Sequence, residues 1–250
     1  MSKTEHIRFT VDDQIGIVTL NNPPENFLLD PVLFKIDELT SFIETNDLRG
    51  LIITGEGRNF SSGANLHSLF ELIHDEKLLH DKIEEGNQLL CSIEAIDIPV
   101  VSAIEGVCFG GGFEIALASH IRICSEAALF AFPEVNHNLM PGLGGIQRIT
   151  NLLKGGISYE MILGGDMMDA GKAFELNVVD HIVGKGTTLE YSTKYLKQMV
   201  QDKPRDVIRI ITKTINFCRN KSLEETIKES TRQFCRLAIE EAKRRQTDPS

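Results

Sequence analysis

No stretch of this chain offers the uninterrupted run of about 18 apolar residues that a membrane-spanning helix needs. The opening MSKTEHIRFTVDD also lacks the apolar centre of a secretion signal, so the sequence predicts a cytoplasmic protein without stable membrane insertion. Cysteine is sparse. Cys91, Cys108, Cys124, Cys218 and Cys235 are odd in number and far apart, which excludes a disulfide framework or Cys-rich zinc site and predicts buried or partly buried free thiols. Positive charge is in deficit, with 26 Lys and Arg against 36 Asp and Glu for a formal net charge of -10. That balance favours solubility and argues against a nucleic-acid partner. The run Lys243-Arg244-Arg245 lies in a polar tail and reads as a solvated helix end.

Several motifs are missing as well. His67, His74 and His80 do not form HExxH, so they read as a solvated helix surface and no metal is expected. GxSxG is absent, which removes support for a serine hydrolase, and GLGG at 142–145 lacks the setting of a dinucleotide fingerprint.

What is present alternates between strand and helix patterns over 250 residues, enough for one large α/β domain. Ile7 to Leu20 predicts two antiparallel strands around Asp12-Asp13-Gln14, and LRGLIITG and IPVVSAIEG predict further strands. The spacing of Leu33, Ile36, Leu39 and Phe42 predicts a helix from about Pro31 to Thr45. Leu66 to Ile96 reads as predominantly helical, with Gly86 a candidate interruption. HIRICSE, ALFAFPEV and VVDHIV read as extended, and MPGLGGIQRI as the start of a helix. From Leu189 onward the period is helical, so 1–188 is expected as an α/β core and 189–250 as a helical region of the same folding and assembly unit.

Chemistry concentrates in GVCFGGGFEI. Three successive glycines before a helix let the backbone approach a ligand, and the first helical N-H groups lack intrahelical acceptors. Such groups bind anions or stabilise negative charge developing on a carbonyl oxygen. Glu114 lies one turn inside this helix, and Glu134 follows Pro133. Taken singly, each reads as readily as a solvated surface carboxylate. Together they can divide proton transfer, if the fold brings them to one substrate.

The passages GRNFSSGANL, EGVCFGGGFEIALASHIRICSEAALFAFPEV and MPGLGGIQR resemble those of the enoyl-coenzyme A hydratase and isomerase, or crotonase, family. The similarity extends from about Ile7 to Lys213. It implies a curved arrangement of repeated ββα units with a C-terminal helical region, and assembly as a homotrimer or a pair of trimers. It also implies an acyl thioester substrate, with coenzyme A as its carrier and no redox or metal cofactor. Carried over by position, it makes the Ala64 and Gly111 N-H groups an oxyanion hole, Glu114 the carboxylate that activates water and Glu134 the one exchanging a proton at the α-carbon. Reversible hydration of a 2-enoyl thioester is the leading expectation. Monoenoyl isomerisation, carrier-linked dehydration or decarboxylation, and noncatalytic thioester binding are the alternatives, while Gly142 disfavours dienoyl isomerisation.

The chain departs from the family pattern at Asn65 and His120, where aspartates are common, and at Asn138, near a usual glycine. Asn138 is expected to keep a left-handed turn, His120 to be structural and His137 to be structural or exposed. Arg58, Lys213 and the C-terminal basic residues are all open candidates for the carrier's phosphates.

Overall fold

A computed structural model describes residues 6–153, 155–219 and 221–247. Strands β1 (Ile7–Asp12) and β2 (Ile15–Leu20) form an antiparallel hairpin whose turn places Asp13 at positive φ. Helix α1 (Ile36–Thr45) leads to β3 (Gly50–Gly55), then come α2 (Leu66–Leu72), α3 (Glu76–Glu94), β4 (Val100–Ile104), β5 (Val107–Phe109) and α4 (Gly111–Ala118). The chain returns through β6 (Ile121–Ser125) and β7 (Leu129–Ala131) to a short 3-10 turn (Pro133–His137). Helices α5 (Gly145–Leu152) and α6 (Ile157–Gly164) precede β8 (Met168–Asp169), α7 (Ala170–Glu175) and β9 (His181–Val183). The chain then runs through α8 (Thr188–Val200), α9 (Arg205–Cys218) and α10 (Leu223–Thr247).

The main sheet has the order β1-β2-β3-β4-β6-β9, parallel after the first hairpin. A smaller sheet, β5-β7-β8, stands beside it. Parallel strands covered on both faces must be apolar throughout, and β3 and β4 are buried almost end to end. One face carries the larger core, including Leu51, Ile53 and Val100; α8 covers the other, where Leu196 and Val200 meet Ile52 and Val101. Helix α4 is buried at all eight positions, and Phe113 packs against Phe130 and Phe132. A helix apolar on every side belongs in an interior. Glu114 is thereby carried into the core.

Several sequence expectations need adjustment. The first helix starts at Ile36 rather than near Pro31, because the Asp30 side chain accepts from the Val32 N-H and turns the intervening chain. The 66–96 region breaks at Ile73 to Asp75, where Asp75 caps α3 by accepting from the Leu78 N-H, and not at Gly86. Gly86 lies inside α3 because a Cβ there would meet the Pro31 carbonyl at 2.8 Å. Cys108 and Cys124 are buried, whereas Cys91, Cys218 and Cys235 are exposed, since those three sit on the outer faces of helices.

Candidate active site

The site is assembled from two backbone turns brought together by loop hydrogen bonds. After β3, the Ser61 hydroxyl donates to the Asn26 carbonyl (2.8 Å) and accepts from the Gly63 N-H (3.1 Å). Leu28 then brackets the next residue, its N-H donating to Gly63 O and its carbonyl accepting from Asn65 N, each at 2.9 Å. This leaves the Ala64 N-H between two satisfied neighbours. The second turn follows β5, where Gly110 takes φ +50° and Gly111 opens α4. A Cβ on Gly63 would lie 3.2 Å from the Gly111 nitrogen, and one on Gly111 would lie 3.8 Å from the Ala64 nitrogen. The two N-H groups are therefore close neighbours on one wall. Among the described residues, neither donates to a backbone carbonyl.

Glu114 is 2% exposed, and its Oε1 accepts from the N-H groups of Leu143 and Gly145, each at 2.7 Å. Burial pushes its pKa up to about 7, against the lowering effect of those N-H groups and of Arg148, while Glu134 adds to the rise. Glu134 sits on the 3-10 turn with its Oε2 buried and, among the described residues, without a hydrogen-bond partner. Burial raises its pKa as well. Its Oε1 would lie 2.7 Å from a Cβ at Gly110, so a side chain at that glycine would collide with the carboxylate.

Ala64, Gly111, Glu114 and Glu134 all line one cavity of about 270 Å³, whose other walls are chiefly apolar side chains of α2, α3 and residues 139–143. A second cavity of about 430 Å³ adjoins it, sharing Ala64 and Glu134 and adding Ser62, Gly110 and His137. The four residues singled out in the sequence thus converge. His137 is exposed at the edge of the second cavity, and Asn138 takes the expected left-handed conformation (φ +57°). Asn65 caps α2 by accepting from Ser68 N. His120 accepts from Val100 N through Nδ1 and contacts the Glu94 carbonyl through Nε2, and burial lowers its pKa to about 4. Those contacts are structural. His67 and His80 pair with carboxylates one turn away on exposed faces. Lys213 lies in a different cavity, beside Asp97 and Arg209, and Arg58 is exposed near the loop packed against Gly106.

The model of the enoyl-CoA hydratase/isomerase family matches residues 10–247. The chain belongs to that family. A probable enoyl-CoA hydratase of Bacillus subtilis (strain 168) is 36% identical over 176 residues, 69% of this chain and 67% of the relative. Among solved structures, an enoyl-CoA hydratase from Polaromonas sp. JS666 superposes with a TM-score of 0.85 at 26% identity, covering 92% of this chain and 90% of that one. An enoyl-CoA hydratase subunit from Geobacillus kaustophilus HTA426 gives 0.84 at 26% identity, covering 98% and 95%. The arrangement of ββα units and C-terminal helices is therefore the architecture of the enoyl-CoA hydratase/isomerase family.

Sequence reasoning missed three side chains around this candidate site. Asn26 is 1% exposed at positive φ, and its Nδ2 ties together the carbonyls of Glu56 (2.9 Å) and Asn59 (2.8 Å). Asn87 and Arg148 hold the loop that faces Glu114. An asparagine amid NNPPEN signals a left-handed turn. Nothing local distinguishes Asn87 or Arg148 from ordinary helix-surface residues.

Proposed function

We propose that the chain reversibly adds water to a 2-enoyl thioester carried on coenzyme A. The observation that carries this reading is the meeting of two pKa-raised carboxylates with two adjacent, uncommitted backbone N-H groups in one largely apolar cavity. The Ala64 and Gly111 N-H groups accept the thioester oxygen. Water bonds through oxygen to the β-carbon as the alkene electron pair moves toward the α-carbon and onto the thioester oxygen. The N-H pair stabilises the enolate-like charge as it grows.

Glu114 takes a proton from the attacking water, and Glu134, when protonated, gives its proton to the α-carbon. A group with a pKa of about 7 is about half ionised at neutral pH, the condition in which a carboxyl serves as base in one direction and acid in the other. Burial raises the Glu134 pKa, which shifts the balance toward the form that donates. Proton exchange with solvent restores both groups. The apolar cavity takes the acyl chain, and the adjoining cavity past Ala64 and Glu134 takes the thioester's carrier side.

Incubation with a 2-enoyl-CoA and product analysis in isotopically labelled water tests the reading. The expected product carries oxygen from water at the β-carbon, and Glu114→Gln loses this addition far more than it loses thioester binding. Double-bond migration without oxygen incorporation would establish isomerisation instead.

We further propose assembly as a trimer or a pair of trimers. Large apolar side chains exposed on the single chain support it, among them Tyr159 and Leu163 on α6, Phe174 on α7, and Leu223, Phe234 and Ile239 on α10. Exposed apolar side chains on elements as far apart in the chain as α6 and α10 suit a head-to-tail ring, in which one surface of each copy meets a different surface of the next.

A further inference from the structure

Glu114 is held by a short loop, and that loop is itself held from outside the cavity. Residues 142–145 contribute the Leu143 and Gly145 N-H groups to Glu114 Oε1. The loop contains Gly144 at φ +81°, so its shape does not follow from local preference for an extended or helical chain. Asn87, on α3, donates from Nδ2 to the Gly142 carbonyl (2.8 Å) and to the Ile83 carbonyl one turn back (3.0 Å). The Gly142 carbonyl and the Leu143 N-H belong to one peptide group. Asn87, that peptide and Glu114 therefore form a continuous hydrogen-bonded chain, in which each bond polarises the next.

Arg148, on α5, holds the following peptide. Its Nη1 donates to the Leu143 carbonyl at 2.9 Å, and its Nη2 reaches Glu94 Oε2 at 3.3 Å and Cys91 Sγ at 3.7 Å. A Cβ at Gly144 would lie only 2.4 Å from Nη1, so the guanidinium lies directly against the loop. The peptide it holds sits between the two peptides that donate to Glu114.

We infer that Asn87 and Arg148 are positioning residues, a two-point clamp that aims the Leu143 and Gly145 N-H groups and so holds Glu114 oriented toward its water. Glu114's part in water addition rests on the hydration reading above; the clamp rests on the loop geometry. The charged groups facing Glu114 are Glu134 from the 3-10 turn and Arg148 from α5. Arg148 in turn faces Glu94 and shares a cavity with Arg122 and Arg219. Glu134 favours the protonated form of Glu114, while Arg148 and the two N-H groups favour its ionised form. Releasing the clamp must therefore raise the pH at which Glu114 ionises.

Carboxyl carbon-13 NMR of glutamate-labelled full-length protein reads this ionisation, with Glu114→Gln identifying the resonance. Asn87→Leu and Arg148→Met are expected to move the midpoint up by about one pH unit, the scale of one lost hydrogen bond to a charged group. In the same variants kcat should fall about tenfold with KM unchanged, the pattern of impaired chemistry with binding intact. Arg148→Lys retains the cation without the planar fork. Its Glu114 midpoint should return toward that of the parent while kcat stays lowered. An unmoved midpoint in both Asn87→Leu and Arg148→Met, with activity falling only in proportion to folded protein, overturns the clamp. Failure of the parent chain to add water would defeat the hydration reading alone, because the Glu114 titration still judges the clamp.

Discussion

A carboxyl group on a fully buried helix works against folding whenever it is ionised, and Glu114 is such a group. Its folded pKa of about 7 stands above the ordinary value of 4.5. Folding therefore takes up a proton between those values, and Glu114's favourable contribution is complete below about pH 4.5 and lost as pH rises through 7. At pH 8 the residual penalty is on the order of 3 kcal/mol. Glu114→Gln keeps an oxygen for the Leu143 and Gly145 N-H groups and removes the charge. It should raise Tm relative to the parent at pH 8, with the advantage disappearing near pH 4; equal Tm differences at both pH values in a thermal melt would contradict this account. The glycines of the site were legible in the sequence from their run before a helix, and the carboxylates through the longer passages that resemble the family, since neither carboxylate stands out singly. The donors from Leu143 and Gly145 were not, since they reach Glu114 across about thirty residues of chain through backbone atoms that any side chain could carry.

At the scale of elements, regular periodicity exposed the strands and helices, while their limits were set by contacts from elsewhere. The delayed start of α1 depends on the Asp30 side chain, and the continuity of α3 through Gly86 depends on the Pro31 backbone. β8 escaped notice because two residues carry no period, and it exists by pairing with β7. The same close approach of separate elements governs α4. A Cβ at Gly112 would meet both the Cβ and the carbonyl oxygen of Ser61 at 2.7 Å. Gly112→Ala must therefore push α4 away from the loop carrying Ala64. We expect a loss of about 3 kcal/mol, as for overpacking of a close-packed interior, measured by urea denaturation. A variant as stable as the parent would show that this contact yields easily.

For the whole molecule, the exposed apolar side chains of α6, α7 and α10 make mass in solution the informative measurement. Light scattering should give three or six times the chain mass of 27.9 kDa, and Phe234→Glu with Ile239→Glu should reduce it toward one chain. A parent protein that already scatters as a single chain would remove the proposed ring. The main sheet adds a consequence for how the molecule comes into being. Its spatial order repeats the order of synthesis, from the β1-β2 hairpin through β3, β4 and β6 to β9. A chain emerging from the ribosome can thus lay down this sheet from one edge to the other, each new strand docking on the last, with no gap held open for a later arrival.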